Sequence, residues 1–118
     1  MKALHLSLLV AYSGLIFYLS HQHSLPAPSM FPQQDKLFHL IAYGVLALLT
    51  INTLKYYLKP HKLVVSCSFV FCALYGLSDE WHQSFVAGRE ASALDWLADC
   101  SGALLALSAY SKIQRRPR

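Results

Sequence analysis

Residues 63–78 read LVVSCSFVFCALYGLS, sixteen positions without a charged side chain and without a polar stripe. A helix buried in a soluble bundle keeps one polar face toward water, whereas a helix that is apolar all round belongs in lipid. The stretch has neither strand alternation nor proline. It predicts a membrane helix, and three further blocks of the same kind flank it. The four blocks run over about 4–20, 37–54, 63–78 and 91–110. Each approaches the roughly 20 residues that cross a hydrocarbon core as a helix. The prolines, at 26, 28, 32, 60 and 117, all fall between or beyond the blocks, as punctuation between helices.

Composition agrees. The chain has 118 residues, of which 55% are hydrophobic and only 14% charged. An ordinary soluble domain carries about 25% charged residues. Mean hydropathy is +0.36. The net charge of +4 points first toward nucleic acid, but so apolar a chain makes a poor reader of phosphate backbones, and nucleic acid is excluded as a partner. Lys2 before an apolar run also admits a signal peptide, yet the following SHQHSLPAPSM offers no clean small-x-small cleavage site. Cys67, Cys72 and Cys100 lie in apolar blocks and read as small core residues rather than a disulfide or zinc framework.

Lys and Arg in short connections set orientation. With four spans, one side holds Lys2, Lys55, Lys59, Lys62, Lys112, Arg115, Arg116 and Arg118, and the other holds Lys36 and Arg89. Eight against two predicts that both termini are cytoplasmic. The expected fold is therefore all-α, an integral bundle of four transmembrane helices forming a single domain over 1–118. Its expected location is the inner membrane. The basic tail KIQRRPR reads as a topology anchor that also meets anionic lipid.

All six acids, Asp35, Asp79, Glu80, Glu90, Asp95 and Asp99, fall at or near the outward ends of the blocks. Asp35, His39 and Tyr43 are spaced i, i+4, i+8, one stripe of a helix. Asp79 and Gln83, and Glu80 and Gln83, share faces if the third helix continues past its apolar block. Asp95 and Asp99 are spaced i, i+4 above small residues at Ala98, Gly102 and Ala106, which admit a close neighbour and turn both acids into the bundle. Gly88 supplies a turn. Glu90 reads as a solvated loop residue, Trp81 as an interface aromatic, and His21 and His23 as exposed loop residues that at most hold a metal weakly.

Ionised groups near hydrocarbon cost several kcal/mol, about 2.5–3.5 on insertion scales, unless they pair, hydrate or work. Lys36 and Arg89 answer two of the six carboxylates. Two chemistries remain open. In one, Asp35, His39, Asp79, Glu80 and Asp95 act as catalytic acids and bases, while Lys36, Tyr43, Gln83, Arg89 and Asp99 bind ligand, with the two cations clamping an anionic group. In the other, the same pocket only binds. Spacing assigns no metal ligands, since no H-E-x-x-H is present. A divalent cation is still a candidate cofactor at so acidic an end, because hard cations take carboxylate oxygens. A transport pathway is disfavoured because the inward half has no acid to continue it.

The ordered set D-K-x-x-H-x-x-x-Y at 35–43, S-D-E-x-H-Q-x-F at 78–85, G-R at 88–89, D at 95 and S-G at 101–102 resembles the VanZ-like family of small membrane proteins. IFYLSHQ at 16–22 is similar to that family's first-helix ending. The resemblance covers nearly the whole chain. It implies a compact bacterial membrane domain whose polar motifs gather from separate segments, marking Asp35, Lys36, His39, Tyr43, Asp79, Glu80, Gln83, Arg89 and Asp95. Two positions depart from the pattern: Ala87 where members often have Pro, and Asp99 where they usually have Asn. The founding member is associated with resistance to the glycopeptide teicoplanin. The resemblance thus implies a cell-envelope protein with an outward pocket for a membrane lipid, a glycopeptide or a cell-wall precursor. The enzyme reading becomes chemistry on lipid-linked phosphates at the outer face.

Overall fold

The apolar blocks form helices, and the third and fourth run several residues past their apolar limits. The structure, a computed structural model, describes residues 1–21, 30–88 and 91–115. It contains α1 (Lys2–His21), α2 (Gln34–Leu54), α3 (His61–Gln83) and α4 (Ala93–Arg115). There are no strands among the described residues. The third helix continues five residues beyond its apolar block, carrying Asp79, Glu80 and Gln83 into the interior. Gly88 closes the following turn at φ 82°, a left-handed conformation that side chains rarely adopt.

The helices α1, α2 and α3 are each long and apolar enough to cross a membrane. The fourth spans 23 residues, about 34 Å at 1.5 Å per residue, but Asp95, Asp99, Lys112 and Arg115 dilute its hydropathy. Packing is tightest between α2 and α4, and α1 leans on α2 and α3. The contact of α2 with α4 is set by Gly102, where a Cβ would lie 2.0 Å from the Leu40 carbonyl oxygen. Only a glycine admits so near a backbone, which is how small residues let membrane helices approach.

Tyr43, Leu46, Ile51, Val64, Cys72 and Leu107 are central to the core. Polar side chains clamp the helices across it. Tyr12 Oη donates to the Ala42 carbonyl at 2.8 Å, Tyr75 Oη to the Ser13 carbonyl at 2.5 Å, and Trp96 Nε1 to the Ala73 carbonyl at 2.9 Å. The outside is Leu8, Val10, Phe17, Val70, Leu74, Leu104 and similar residues, all exposed. Carboxylates inside and leucines outside is the arrangement lipid selects. The cysteines are free, with Cys72 buried and Cys67 and Cys100 half-buried, as small core residues.

Basic and acidic residues separate along the long axis. At one end Lys2 lies over the Tyr57 ring, His5 meets Tyr56, and His61 pairs with Ser111 at 3.1 Å. The start of α1, the α2–α3 connection and the end of α4 therefore share that end, with their lysines. The acids gather at the other.

Candidate functional site

Three helices bring polar side chains to one point. From α2, Lys36, His39 and Tyr43 face inward on successive turns. From α3 come the adjacent Asp79 and Glu80, and from α4 Asp95 and Asp99, one turn apart. Asp79, Glu80, Asp95 and Asp99 are all buried, Asp99 completely.

Each group has a defined place. His39 Nδ1 lies 2.8 Å from Asp99 Oδ1 and 4.0 Å from Glu80 Oε1, and its Nε2 lies 3.8 Å from Asp95 Oδ2. Lys36 Nζ pairs with Asp35 Oδ2 at 2.6 Å and with Asp95 Oδ1 at 2.9 Å. Tyr43 Oη donates to Asp79 Oδ2 at 3.2 Å, and Ser20 Oγ on α1 donates to Asp79 Oδ1. Glu80 Oε2 accepts the Ser92 backbone N–H at 2.9 Å, which ties α3 to the approach of α4. Glu80 Oε1 and Asp99 Oδ2 are buried without a hydrogen-bond partner among the described residues. One ligand atom each from His39, Asp79, Glu80 and Asp99 lies within 4.8 Å of the others.

Adjacent positions on a helix point about 100° apart, since 3.6 residues make a turn. Asp79 and Glu80 both stay inside because α3 is covered on two sides. Asp79 turns toward α1 and α2, and Glu80 toward α4. A groove of about 730 Å³ opens between α3 and α4 against this cluster. Its walls are mostly apolar, including Leu74, Leu77, Trp81, Ala93 and Trp96, and Glu80 and Ser92 stand in its lining. Glu80 thus belongs to both the cluster and the groove.

Of the residues singled out in the sequence, His39, Asp79, Glu80, Asp95, Asp99, Lys36 and Tyr43 converge. Gln83 is buried at the last turn of α3. Asp35 stays on the rim, exposed and held by Lys36. Trp81 is exposed beside Phe85, edge-on at 5.3 Å, in keeping with an interface aromatic. Arg89, Glu90 and His23 lie outside the described residues. His21 is not a loop residue: it ends α1, exposed, and its ring stacks on His82 at 5.3 Å. Ser20, Ser92 and Gly76 had not been singled out. Gly76 leaves the space beside Asp99, since a Cβ there would lie 2.9 Å from Asp99 Oδ2. Only the run IFYLSHQ, quoted for its family resemblance, brushed against Ser20.

The family model described as VanZ/LLP1 matches residues 6–114 of the chain. The chain belongs to the VanZ/LLP1 family. It matches no curated protein and no solved structure. Family membership and the three lipid-compatible helices together make this a multi-pass membrane protein. The VanZ/LLP1 match takes in α2 and α3 whole, all but the outer ends of α1 and α4, and every member of the polar cluster.

Proposed function

We propose that this VanZ-family chain is a four-span protein of the bacterial inner membrane with both termini cytoplasmic. Its polar cluster then lies at the outward face and binds the polar end of an amphiphile. That ligand is a membrane lipid, a glycopeptide or a lipid-linked cell-wall precursor. The observation that carries the reading is Glu80, which lines the apolar groove between α3 and α4 while its carboxylate faces the buried cluster. A hydrophobic slot that ends on charged groups fits a molecule with a tail and a head. In this reading Lys36, Tyr43, Gln83 and Arg89 are the candidate residues for the polar head. Teicoplanin resistance belongs to the family's founding member and is not part of the reading.

Native mass spectrometry of protein extracted with its lipids tests it. The wild type should carry an amphiphile through detergent exchange. Ala93→Phe, which fills the groove, and Glu80→Gln, which removes the charge at its base, should each lower that occupancy about tenfold, the effect of about 1.4 kcal/mol. Equal occupancy in all three proteins, or none in the wild type, would rule the site out.

One observation favours catalysis as a second reading. His39 stands 2.8 Å from Asp99, an imidazole oriented by a carboxylate, which is the arrangement of a general base. Purified protein incubated with a polyprenyl phosphate would then release product, and His39→Gln would abolish it. Retention without product leaves the binding reading in place.

A further inference from the structure

Lys36 pairs with Asp35 and Asp95, while His39 faces Glu80 and Asp99, and a ligand atom of Asp79 lies within 4.8 Å of all three. We propose that His39, Asp79, Glu80 and Asp99 together bind one divalent cation of the Mn²⁺ type. The proposal deepens the reading of this cluster as a functional site, naming what holds its acids together.

Distance comes first. Divalent ions bind protein oxygen and nitrogen at about 2.0–2.6 Å, so ligands on opposite sides of one ion lie at most about 4–5 Å apart. The four side chains meet that limit, with all four ligand atoms within 4.8 Å of one another. Neighbouring ligands of one ion stand closer, and His39 Nδ1 sits 2.8 Å from Asp99 Oδ1 and 4.0 Å from Glu80 Oε1.

Two buried oxygens then point to a ligand independently of the acid count. Glu80 Oε1 and Asp99 Oδ2 are shut away from solvent with no hydrogen-bond donor among the described residues. A buried acceptor left so is costly, and buried polar atoms almost always have a partner. Glu80 is 7% exposed and Asp99 0%, so bulk water does not serve them. A cation between the three helices satisfies Glu80 Oε1 directly and draws Asp99 into the same shell.

The surrounding donors already hold the ligands in position. Ser20 and Tyr43 each donate to one oxygen of Asp79, and the Ser92 N–H takes the far oxygen of Glu80, which leaves Glu80 Oε1 to face an ion. With Nδ1 as the His39 ligand, Nε2 faces Asp95 Oδ2 at 3.8 Å, the outer-shell carboxylate that metal-bound imidazoles commonly have. Three carboxylates favour a hard ion and one imidazole a first-row transition ion. Mn²⁺ answers both, whereas Ca²⁺ and Mg²⁺ make little use of the imidazole.

The test uses the full chain in lipid nanodiscs, stripped with a chelator and titrated with Mn²⁺ alone. Calorimetry should show one Mn²⁺ per chain, and its electron paramagnetic resonance signal should lose the sharp pattern of the free ion. Glu80→Gln and Asp99→Asn, each close in shape to the native residue, should weaken binding about tenfold or more, on the scale of lost metal-site contacts. His61→Gln, an imidazole at the opposite end, should leave it unchanged. No Mn²⁺ uptake by folded wild type overturns the proposal. So does uptake that His39→Gln, Glu80→Gln and Asp99→Asn all leave untouched, and so does binding of Mg²⁺ or Ca²⁺ in preference to Mn²⁺. If stripped wild type takes up no Mn²⁺ but still carries its amphiphile, the cation is wrong and the ligand reading stands.

Discussion

Gly102 and Gly14 are both helical glycines, and their neighbours make them opposite cases. A Cβ on Gly102 would meet the Leu40 carbonyl at 2.0 Å, a backbone atom that cannot swing aside. A Cβ on Gly14 would meet nothing within 4 Å. Forcing a methyl into a packed interface costs about 1–3 kcal/mol. Replacing an unhindered helical glycine by alanine gains up to about 1 kcal/mol from backbone propensity. Gly102→Ala should therefore lower the unfolding midpoint in detergent, while Gly14→Ala leaves it equal or raises it; two variants of equal stability would contradict the α2–α4 approach. The small-residue stripe at Ala98, Gly102 and Ala106 announces this contact in the sequence, because spacing of four is a helix face. Gly76 gives no such notice. It lies in an apolar run, and only the arrival of Asp99 from α4 makes its missing side chain matter.

At the scale of elements, the acids of α3 are held by what packs on each side. Asp79 spends its oxygens on Ser20 from α1 and Tyr43 from α2, so one carboxylate joins three helices. Ser20→Ala or Tyr43→Phe removes one donor, and hydrogen bonds between membrane helices are worth about 0.6 kcal/mol on average, with a maximum near 1.7. The double variant leaves the carboxylate with neither hydroxyl, and its loss should exceed the sum of the single losses by about 0.5 kcal/mol or more, since groups sharing a partner couple. A double-variant cycle on steric-trap or denaturant unfolding reads this, and strict additivity would mean that Asp79 does not link the hydroxyls. The helices themselves were legible as apolar blocks bounded by prolines, and the inward turn of Asp95 and Asp99 followed from their spacing. Ser20 was not legible as a site residue. Its partner stands 59 residues away, and nothing local separates it from Ser7 or Ser13. The end of α3 was legible only as a conditional, because charged residues after an apolar run read equally as loop until Ser92 and His39 are seen to receive them.

Over the whole molecule the charges sort by end, and the dimensions match the setting. The long axis measures 47 Å, close to the roughly 40–45 Å of a bilayer with its headgroups. Lys2, the lysines of the α2–α3 connection and Lys112 stand at one end, and the buried acids stand at the other. The structure thus brings together what the sequence separates by more than a hundred residues, but a bundle without a bilayer has no inside and outside. Sidedness rests on the retention of lysine and arginine in the cytoplasm during insertion, which acts on short connections near the spans. Lys55, Lys59 and Lys62 are the middle of that signal, because they flank two spans at once. A reporter fused after Arg118 should be cytoplasmic. Replacing those three lysines by glutamine reduces the bias from eight against two to five against two, so most molecules should keep that orientation. Adding three lysines after Gln83 in the same variant brings the two sides to five and five, and the reporter should then divide between the compartments. A periplasmic reporter on the unaltered chain would reverse the assignment and put the carboxylate cluster in reach of cytoplasmic ligands instead. An indifferent response to the added lysines would show that α4, with its diluted hydropathy, is inserted by its packing on α2 rather than by the charges that flank it.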